Sequence, residues 1–383
     1  MATITIPGAS GSSITTTFTG SSNTALAQSI ASTLASILSS GSLTVATVSG
    51  AGGTVPPASA TGQNELVITS PGVVNVPAGY GYVVDASGGG SPLAVFTGPS
   101  NFVGGDGPIA VTSSGGSVAT GNGDDVFNMS GLYSVAAGSG SNQYNLAGTG
   151  QVSLGGGLSL INIVSGADTI FAGASPGVTG LVGHSGSVFF YAGEASTNTA
   201  NFITGGTGGN TIVGAANNTI LYASPSTGGA SAPGALLVAG AGSETIYGAP
   251  SSTDDLIFGS YSADANDLLW AGSGRDALVA GSGNQSLVGG SGTDTFFVAN
   301  TSLLSTIAGT TVTPGKDTIF LTHSGDNLAL TGYDTLYGGA PGSNTAATAV
   351  RSTLAAGGGA VTLRDGTTIS FVGSTNGLNI VSS

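Results

Sequence analysis

The chain contains no cysteine, so neither a disulfide nor a thiolate metal site can brace it. It also has little charge: Asp, Glu, Lys and Arg make up 6% of its residues, where soluble domains carry about 25%. A free monomer ordinarily keeps itself in solution with mixed surface charge. The depletion therefore points to a Ser/Thr/Asn/Gly surface that packs against copies of itself or a matrix. Only Arg275, Lys316, Arg351 and Arg364 are basic, against 18 acids, and the net charge is −14. Four cations cannot build a basic patch, which argues against nucleic acid and against an anionic membrane as partners. A polyvalent cation is the natural counterion. No apolar run reaches the roughly 18 residues of a membrane-spanning helix. The opening MATITIPGAS has neither the basic nor the apolar region of a secretory signal, so export is expected to use another address.

Signatures of catalysis are equally thin. Gly183 to Ser187, GHSGS, imitates the GxSxG nucleophile elbow but ends in Ser187 where glycine is required. Gly315-Lys316 is not a P-loop, because Asp317 stands where Ser or Thr is needed. His184 and His323 are the only histidines, so a zinc site or a proton relay requires both to converge. A hydrolase would have to occupy residues 1–115, which hold no histidine and only the acids Glu65, Asp85 and Asp106. The chain is expected not to be an enzyme.

What the chain has in excess is glycine, 69 of 383 residues, with no Gly-X-Y period, which removes collagen. Gly289 to Phe297, GGSGTDTFF, fits the nonapeptide GGxGxDxUx, where U is a large apolar residue. The beat runs backwards through GSGNQSL (Gly281 to Leu287), GSGRDAL (Gly272 to Leu278) and Asp267-Leu268-Leu269. The sixth-position residues Asp267, Asp276, Gln285 and Asp294 are nine apart. A chain that turns every nine residues and buries one large side chain per repeat winds as a two-sided parallel β-roll, with two repeats to the coil. Asp276 and Asp294 then share one edge of neighbouring coils, and Asp267 and Gln285 share the other. Weaker copies place Asp125 (beside Asp124), Asn142, Asp168, Asn210, Asn218, Glu244 and Asp255 at the same position upstream, and Asp317, Asp326 and Asp334 downstream. Val188, Ile212, Ile220, Ile246, Ile257, Leu278, Leu287, Phe296, Ile319 and Leu336 form the inner ladders in this reading.

These repeats resemble those of the repeats-in-toxin (RTX, haemolysin-type) calcium-binding proteins, which bacteria export by a one-step type I route. The resemblance implies that the glycine halves are turns whose carbonyls, with the sixth-position Asp, chelate Ca²⁺ between successive coils. The chemistry is sound, since Ca²⁺ takes six to eight hard oxygens and glycine turns can aim carbonyls inward. A column of carboxylates would repel itself without a cation. Asp276/Asp294 is the foremost pair, Asp317/Asp334 the next, then Asp125 with Asp124, and Asp267 lies on the second edge. Against each stands the plainer reading of a turn-making Asx side chain. Asn142, Asn210, Asn218 and Gln285 depart from the family by replacing the carboxylate, and Glu244 is one carbon too long. A mixed solenoid is expected, with calcium in some turns and amide ladders in others.

The whole chain reads as all-β: a parallel β-roll or β-solenoid with a short N-terminal helix and a C-terminal β-hairpin cap. Residues 1–50 carry no charge. There Leu26, Ile30, Leu34, Ile37 and Leu38 make a helical stripe, capped by Asn23 or Thr24 and stopped by Gly41. The stripe covers the first coil or docks on another subunit. Residues 51–115 read as irregular β, either early coils or a small sandwich. Residues 116–339 are the repeat array. In 340–383, Val361 to Leu363 and Thr367 to Val372 flank an Asp365-Gly366 turn as a hairpin, a segment that also resembles the export signal of the type I route.

Function follows as an expectation: an exported, extracellular or bacterial cell-surface protein, a homo-oligomer or homopolymer in a fibre, surface layer or biofilm matrix, with calcium-dependent folding. The alternative is a monomeric calcium-binding adhesin or glycan-binding module that holds cell-surface polysaccharide. Its aromatic strip would draw on Phe189, Phe190, Tyr191, Tyr247, Phe258, Tyr261, Trp270 and Tyr337, residues that the solenoid could equally use as core or flanking ladders.

Overall fold

The computed structural model describes all residues except 1, 8–11, 19, 51, 89–91, 97, 173–176, 193–200, 215–218, 225–233, 252 and 322. The chain forms two compact units, Met1–Gly186 and Ser187–Ser383. Each is a parallel β-solenoid.

The first unit begins with an antiparallel hairpin, Ala2–Pro7 against Ser13–Phe18, followed by helix α1, Ser21–Ser39. From Leu43–Val48 onward the pairings among the described residues of the unit are parallel, beginning with Gln63–Ile68 and Tyr82–Asp85. Residues 51–115 are therefore coils and not a sandwich, and the ladder passes the expected boundary at 115/116 unbroken, because Gly116–Ala119 pairs with both Asn101–Val103 and Val126–Ala136. Strands Val126–Ala136, Asn142–Ser153 and Gly157–Phe171 run around a corner of the coil. At that corner a Cβ on Gly148 or Gly166 would collide with the carbonyl of the glycine one coil below, Gly131 or Gly148, so only glycine permits the close stacking.

Helix α1 lies along the flank of several coils. Ala27, Ile30, Ala31 and Leu34 bury against Ile4, Ile6 and Phe18 of the hairpin and Val84, Val103 and Ala119 of the solenoid. Asn23 is not its cap: the helix starts after Gly20, and Asn23 is fully buried with Nδ2 donating to Thr120 O at 2.9 Å. Tertiary anchoring took a residue whose type suits capping. Gly41, at φ +70°, ends the helical segment as expected.

The second unit is built from three- to five-residue strands in two stacks. One runs Leu236–Val238, Leu256–Phe258, Ala277–Val279, Thr295–Ala299; the other runs Thr245–Tyr247, Leu268–Trp270, Ser286–Val288, Lys316–Phe320. The middle residue of each triplet points inward, so Ile212, Ile246, Ile257, Leu278, Leu287, Phe296 and Ile319 are all fully buried, as the repeat dictates. Two ladder residues fall elsewhere. Ile220 is 38% exposed and Leu221 is buried in its place, because Thr219, not Asn218, precedes that strand; a one-residue slip reverses every side chain. Asn218 lies outside the described residues. Leu336 is exposed in a short 3-10 turn, Thr335–Tyr337.

Two further helices interrupt the periodicity. Helix α2, Thr301–Ala308, is capped by Asn300, whose side chain accepts from Leu303 N, and stopped by Gly309 at φ +67°. It stretches one coil to 32 residues. Helix α3, Thr345–Ala355, packs on the last strand, Asn379–Ser382. The hairpin forms as read, Ala360–Thr362 antiparallel to Thr368–Val372, and its second arm also joins the solenoid parallel to Lys316–Phe320. Edge groups of the final strand are occupied: Arg351 donates to Ile380 O, and Ser382 N donates to Asn344 Oδ1 at 2.9 Å. That blunts the template for end-to-end pairing that an open solenoid presents. No helix among the described residues is long and apolar enough to cross a membrane.

Candidate functional site

Along one edge of the second unit, Asp255, Asp276, Asp294 and Asp326 stand one above another, all buried. Oδ1 of each accepts from the backbone N–H of the equivalent residue in the coil before: Asp276 from Asp255 N at 2.7 Å, Asp294 from Asp276 N at 3.0 Å, Asp326 from Asp294 N at 3.1 Å. Oδ2 turns back to its own turn, taking Ala249 N, Gly272 N and Gly290 N at 2.6–2.7 Å for Asp255, Asp276 and Asp294. Asp276 and Asp294 are thus in adjacent layers, 18 residues apart. The turns stack so closely that a Cβ on Gly290 or Gly292 would strike the carbonyl of Gly272 or Gly274.

The second edge repeats the device less fully. Asp267 accepts from Glu244 N at 2.9 Å and Ser260 N at 2.7 Å. Asp317 accepts from Gln285 N at 3.2 Å. Glu244, with its extra carbon, finds no hydrogen bond for either carboxyl oxygen, and Gln285 Oε1 and Ser282 Oγ are likewise buried without a partner.

Burial dominates the electrostatics of these columns. It pushes Asp276 up to about 7, the amides of Asp255 and Gly272 opposing it and the carboxyls of Asp255 and Asp294 adding to it. Asp317 is pushed up to about 7 in the same way, and Asp255 and Asp294 are also raised, chiefly by burial. Glu244 reaches about 8, from burial first and then the neighbouring Asp267 carboxyl. In the first unit burial takes Asp125 to about 6 and the isolated Glu65, both of whose oxygens lack partners, to about 7.

The amides at sixth positions do the same work by a different route. Asn142 Oδ1 accepts from Asp125 N at 3.0 Å while its Nδ2 donates to Gly138 O at 3.1 Å. Asn210 Oδ1 accepts from Val188 N, and Nδ2 donates to Gly206 O. An Asp takes a turn N–H with its second oxygen; the amide gives to a turn carbonyl, and Asn210 Oδ1 also accepts from Gly206 N at 3.0 Å. These amides bridge backbone, whereas a side-chain amide ladder forms on the outer face at Asn128, Asn145 and Asn162.

Other sequence candidates separate. Asp334 does not stack with Asp317: its carboxyl accepts from Asn344 N, Ala346 N and Ser382 Oγ at the start of α3. Burial raises it, but those hydrogen bonds outweigh burial and hold it below the usual range. Asp124 is exposed and accepts from Ser141 N, whereas Asp125 is buried and takes Thr120 Oγ1 and Ile109 N. Asp168 is no turn residue; it lies within a long strand and takes the Tyr133 hydroxyl at 2.5 Å.

At Asp276 and Asp294 both oxygens already have amide donors, so a cation there would share lone pairs with the backbone. Glu244 lies beside the Asp267 carboxyl, and neither of its own buried carboxyl oxygens has a hydrogen-bond partner. Among the described residues no group of three or more His, Cys, Asp or Glu comes together.

The outer face of the second stack carries a groove of about 500 Å³ walled by Phe202, Tyr222, Tyr247 and Trp270, with Thr204, Gly248, Pro250 and Ser273 among its other lining residues. Tyr247 and Trp270 were legible as strip candidates. Phe202 and Tyr222 were missed, although Ile220-Leu221-Tyr222 has the offset of Thr245-Ile246-Tyr247. Phe190 is core, Tyr261 packs under α2, and Tyr337 lies beneath Arg364 at 4.7 Å. Ser185 of the elbow-like GHSGS donates to Val164 O at 2.6 Å and sits between two strands, without the helix that a nucleophile elbow requires. No family model matches the chain, and neither a curated protein nor a solved structure matches it.

Proposed function

We propose that the chain is an exported, non-enzymatic structural protein whose copies associate side by side outside the cell, with calcium replacing protons in its acidic columns. The observation that carries this reading is an apolar outer column in the second unit. Val213, Val238, Phe258, Val279 and Phe297 follow one another in register, each partly exposed. The neighbouring outer column, Leu236, Leu256, Ala277 and Thr295, is also uncharged. The acids are withdrawn into the turn edges, so a chain of net charge −14 presents a neutral face on which a second copy can pack sheet to sheet. Lateral association suits the fold better than end-to-end growth, because α3 and Arg351 occupy the C-terminal edge.

Sedimentation velocity and negative-stain microscopy test the proposal on wild-type protein and on a Val238→Glu/Val279→Glu double variant, each with 5 mM CaCl₂ or EDTA, on the order of a saturating dose for a weak extracellular site. Large assemblies from wild type that the variant fails to form are expected. Monomers in both, or equal assembly in both, would refute the lateral face.

A further inference from the structure

We propose that the aromatic groove on the second unit binds a neutral, linear polysaccharide. The four rings come from successive layers of one stack, Asn201–Thr204, Ile220–Tyr222, Thr245–Tyr247 and Leu268–Trp270. Their centroids are separated by 5.5 Å from Phe202 to Tyr222, 4.5 Å from Tyr222 to Tyr247 and 6.1 Å from Tyr247 to Trp270. A ligand that meets the whole row must itself repeat on a similar spacing.

The ring angles say which part of that ligand each residue takes. Tyr222 and Tyr247 stack on one another at 9°, so their faces are spent along the row and their edges remain. Phe202 and Trp270, at the two ends, tilt by 51° and 33° from their neighbours and are the most exposed, 46% and 45%. They offer the free aromatic faces. A pyranose has an apolar face of C–H bonds and a rim of hydroxyls; the C–H face stacks on Phe202 or Trp270, and the rim reaches the tyrosine edges, Thr204 and Ser273. Among the described residues no charged side chain lines the groove, while the chain as a whole carries −14, so an uncharged polymer is favoured and an anionic one repelled. The volume is that of an ordinary small-ligand cleft, about 300–1,000 Å³.

Trp270 is the only tryptophan in the chain, so intrinsic emission reports on the groove directly. Xyloglucan and a mixed-linkage β-glucan, with polygalacturonate as the anionic control, are titrated into dilute protein while tryptophan emission is followed; native gels cast with each polymer provide a second readout. At least one neutral glucan should shift and saturate the emission and retard the protein. Trp270→Ala and Tyr247→Ala should each weaken gel retardation about tenfold or more, and Ser286→Ala, in the next layer, should leave it unchanged. Circular dichroism confirms that each variant keeps its β signal. The proposal is overturned by absence of binding to both neutral glucans, by binding that survives Tyr247→Ala in a folded variant, by equal binding of polygalacturonate, or by an emission shift that depends only on protein concentration, which would make a second copy the occupant. The assay uses monomer, so its outcome is independent of whether the lateral face assembles.

Discussion

The acidic columns make the sign of the pH dependence a sharp test. Asp276 has an unfolded-state value of 3.8 and a folded-state value of about 7. A carboxyl raised in the fold contributes stability that is full below about pH 3.8 and is lost as pH climbs through 7, because the folded state holds its proton longer. At about 1.4 kcal/mol per pH unit, that displacement is worth at most roughly 4 kcal/mol, and about 2 kcal/mol once water at the turn edge screens it. Asp317, raised to about 7 by burial, acts in the same direction. For a unit of this size each kcal/mol moves Tm by about 2–4 °C. Melting in EDTA should therefore fall by roughly 5 °C or more between pH 4.5 and pH 8. If calcium substitutes for the protons, millimolar Ca²⁺ should restore the loss at pH 8 by mass action and do little at pH 4.5, where Asp276 and Asp317 are protonated. Differential scanning calorimetry over that grid decides the matter. A Tm that rises with pH in EDTA would mean the columns are content as carboxylates, and the reasoning would fail. A fall that Ca²⁺ does not reverse would keep the protonated columns and remove the calcium proposal.

Substitutions at four positions probe the same architecture. Asp276→Asn keeps an acceptor for Asp255 N and can donate to a turn carbonyl as Asn142 does, so its melt at pH 7 should stay within about 1 kcal/mol of wild type. Asp276→Ala strands two buried N–H groups at about 1–3 kcal/mol each; equal damage from both changes would show that the carboxylate has another role. Gly292→Ala drives a Cβ into Gly274 O and should cost several times more than Gly309→Ala, where φ is +67° but the space is open, about 1 kcal/mol; chemical denaturation would compare them. Arg351→Ala uncovers Ile380 O on the last strand and should raise self-association through that edge, read as increased light scattering at unchanged β content.

The coil was legible in the sequence wherever glycine is locally obligatory. Gly272, Gly274, Gly290 and Gly292 leave no room for a side chain between stacked turns, so their spacing is the spacing of the layers. Where coils lengthen, the signal fades: Asp255 and Asp276 are 21 residues apart, and Glu244 and Asp267 are 23, although they stack like Asp276 and Asp294. Short strands also carry no internal check on register, so placing Asn218 at the sixth position puts Ile220 in the ladder where the fold puts Leu221. Asp334 shares the motif of Asp317 but is claimed by α3, a helix whose Thr/Ala sequence, TAATAVRSTLA, has too weak an apolar stripe to announce itself.

The position of each sixth residue was legible, but the use of its side chain was not. A repeat Asp reads as a ligand when one thinks of its charge and as a brace when one counts its acceptors. Asn142 and Asn210 decide between these uses for their own layers, because an amide that bridges the same backbone groups shows that the coil needs an acceptor there and not a negative charge. Charge at Asp276 is then a burden on the fold, relieved by a proton at acidic pH and, in the function proposed above, by a cation at higher pH. Glu244 is where the burden is heaviest, since burial and the neighbouring Asp267 carboxyl push it up to about 8. If a metal enters this solenoid, Glu244→Gln should abolish its stabilising effect at pH 8 while Asp294→Asn leaves most of it, and calcium-dependent melting curves of the two variants that changed in the opposite order would return the site to the Asp276/Asp294 edge.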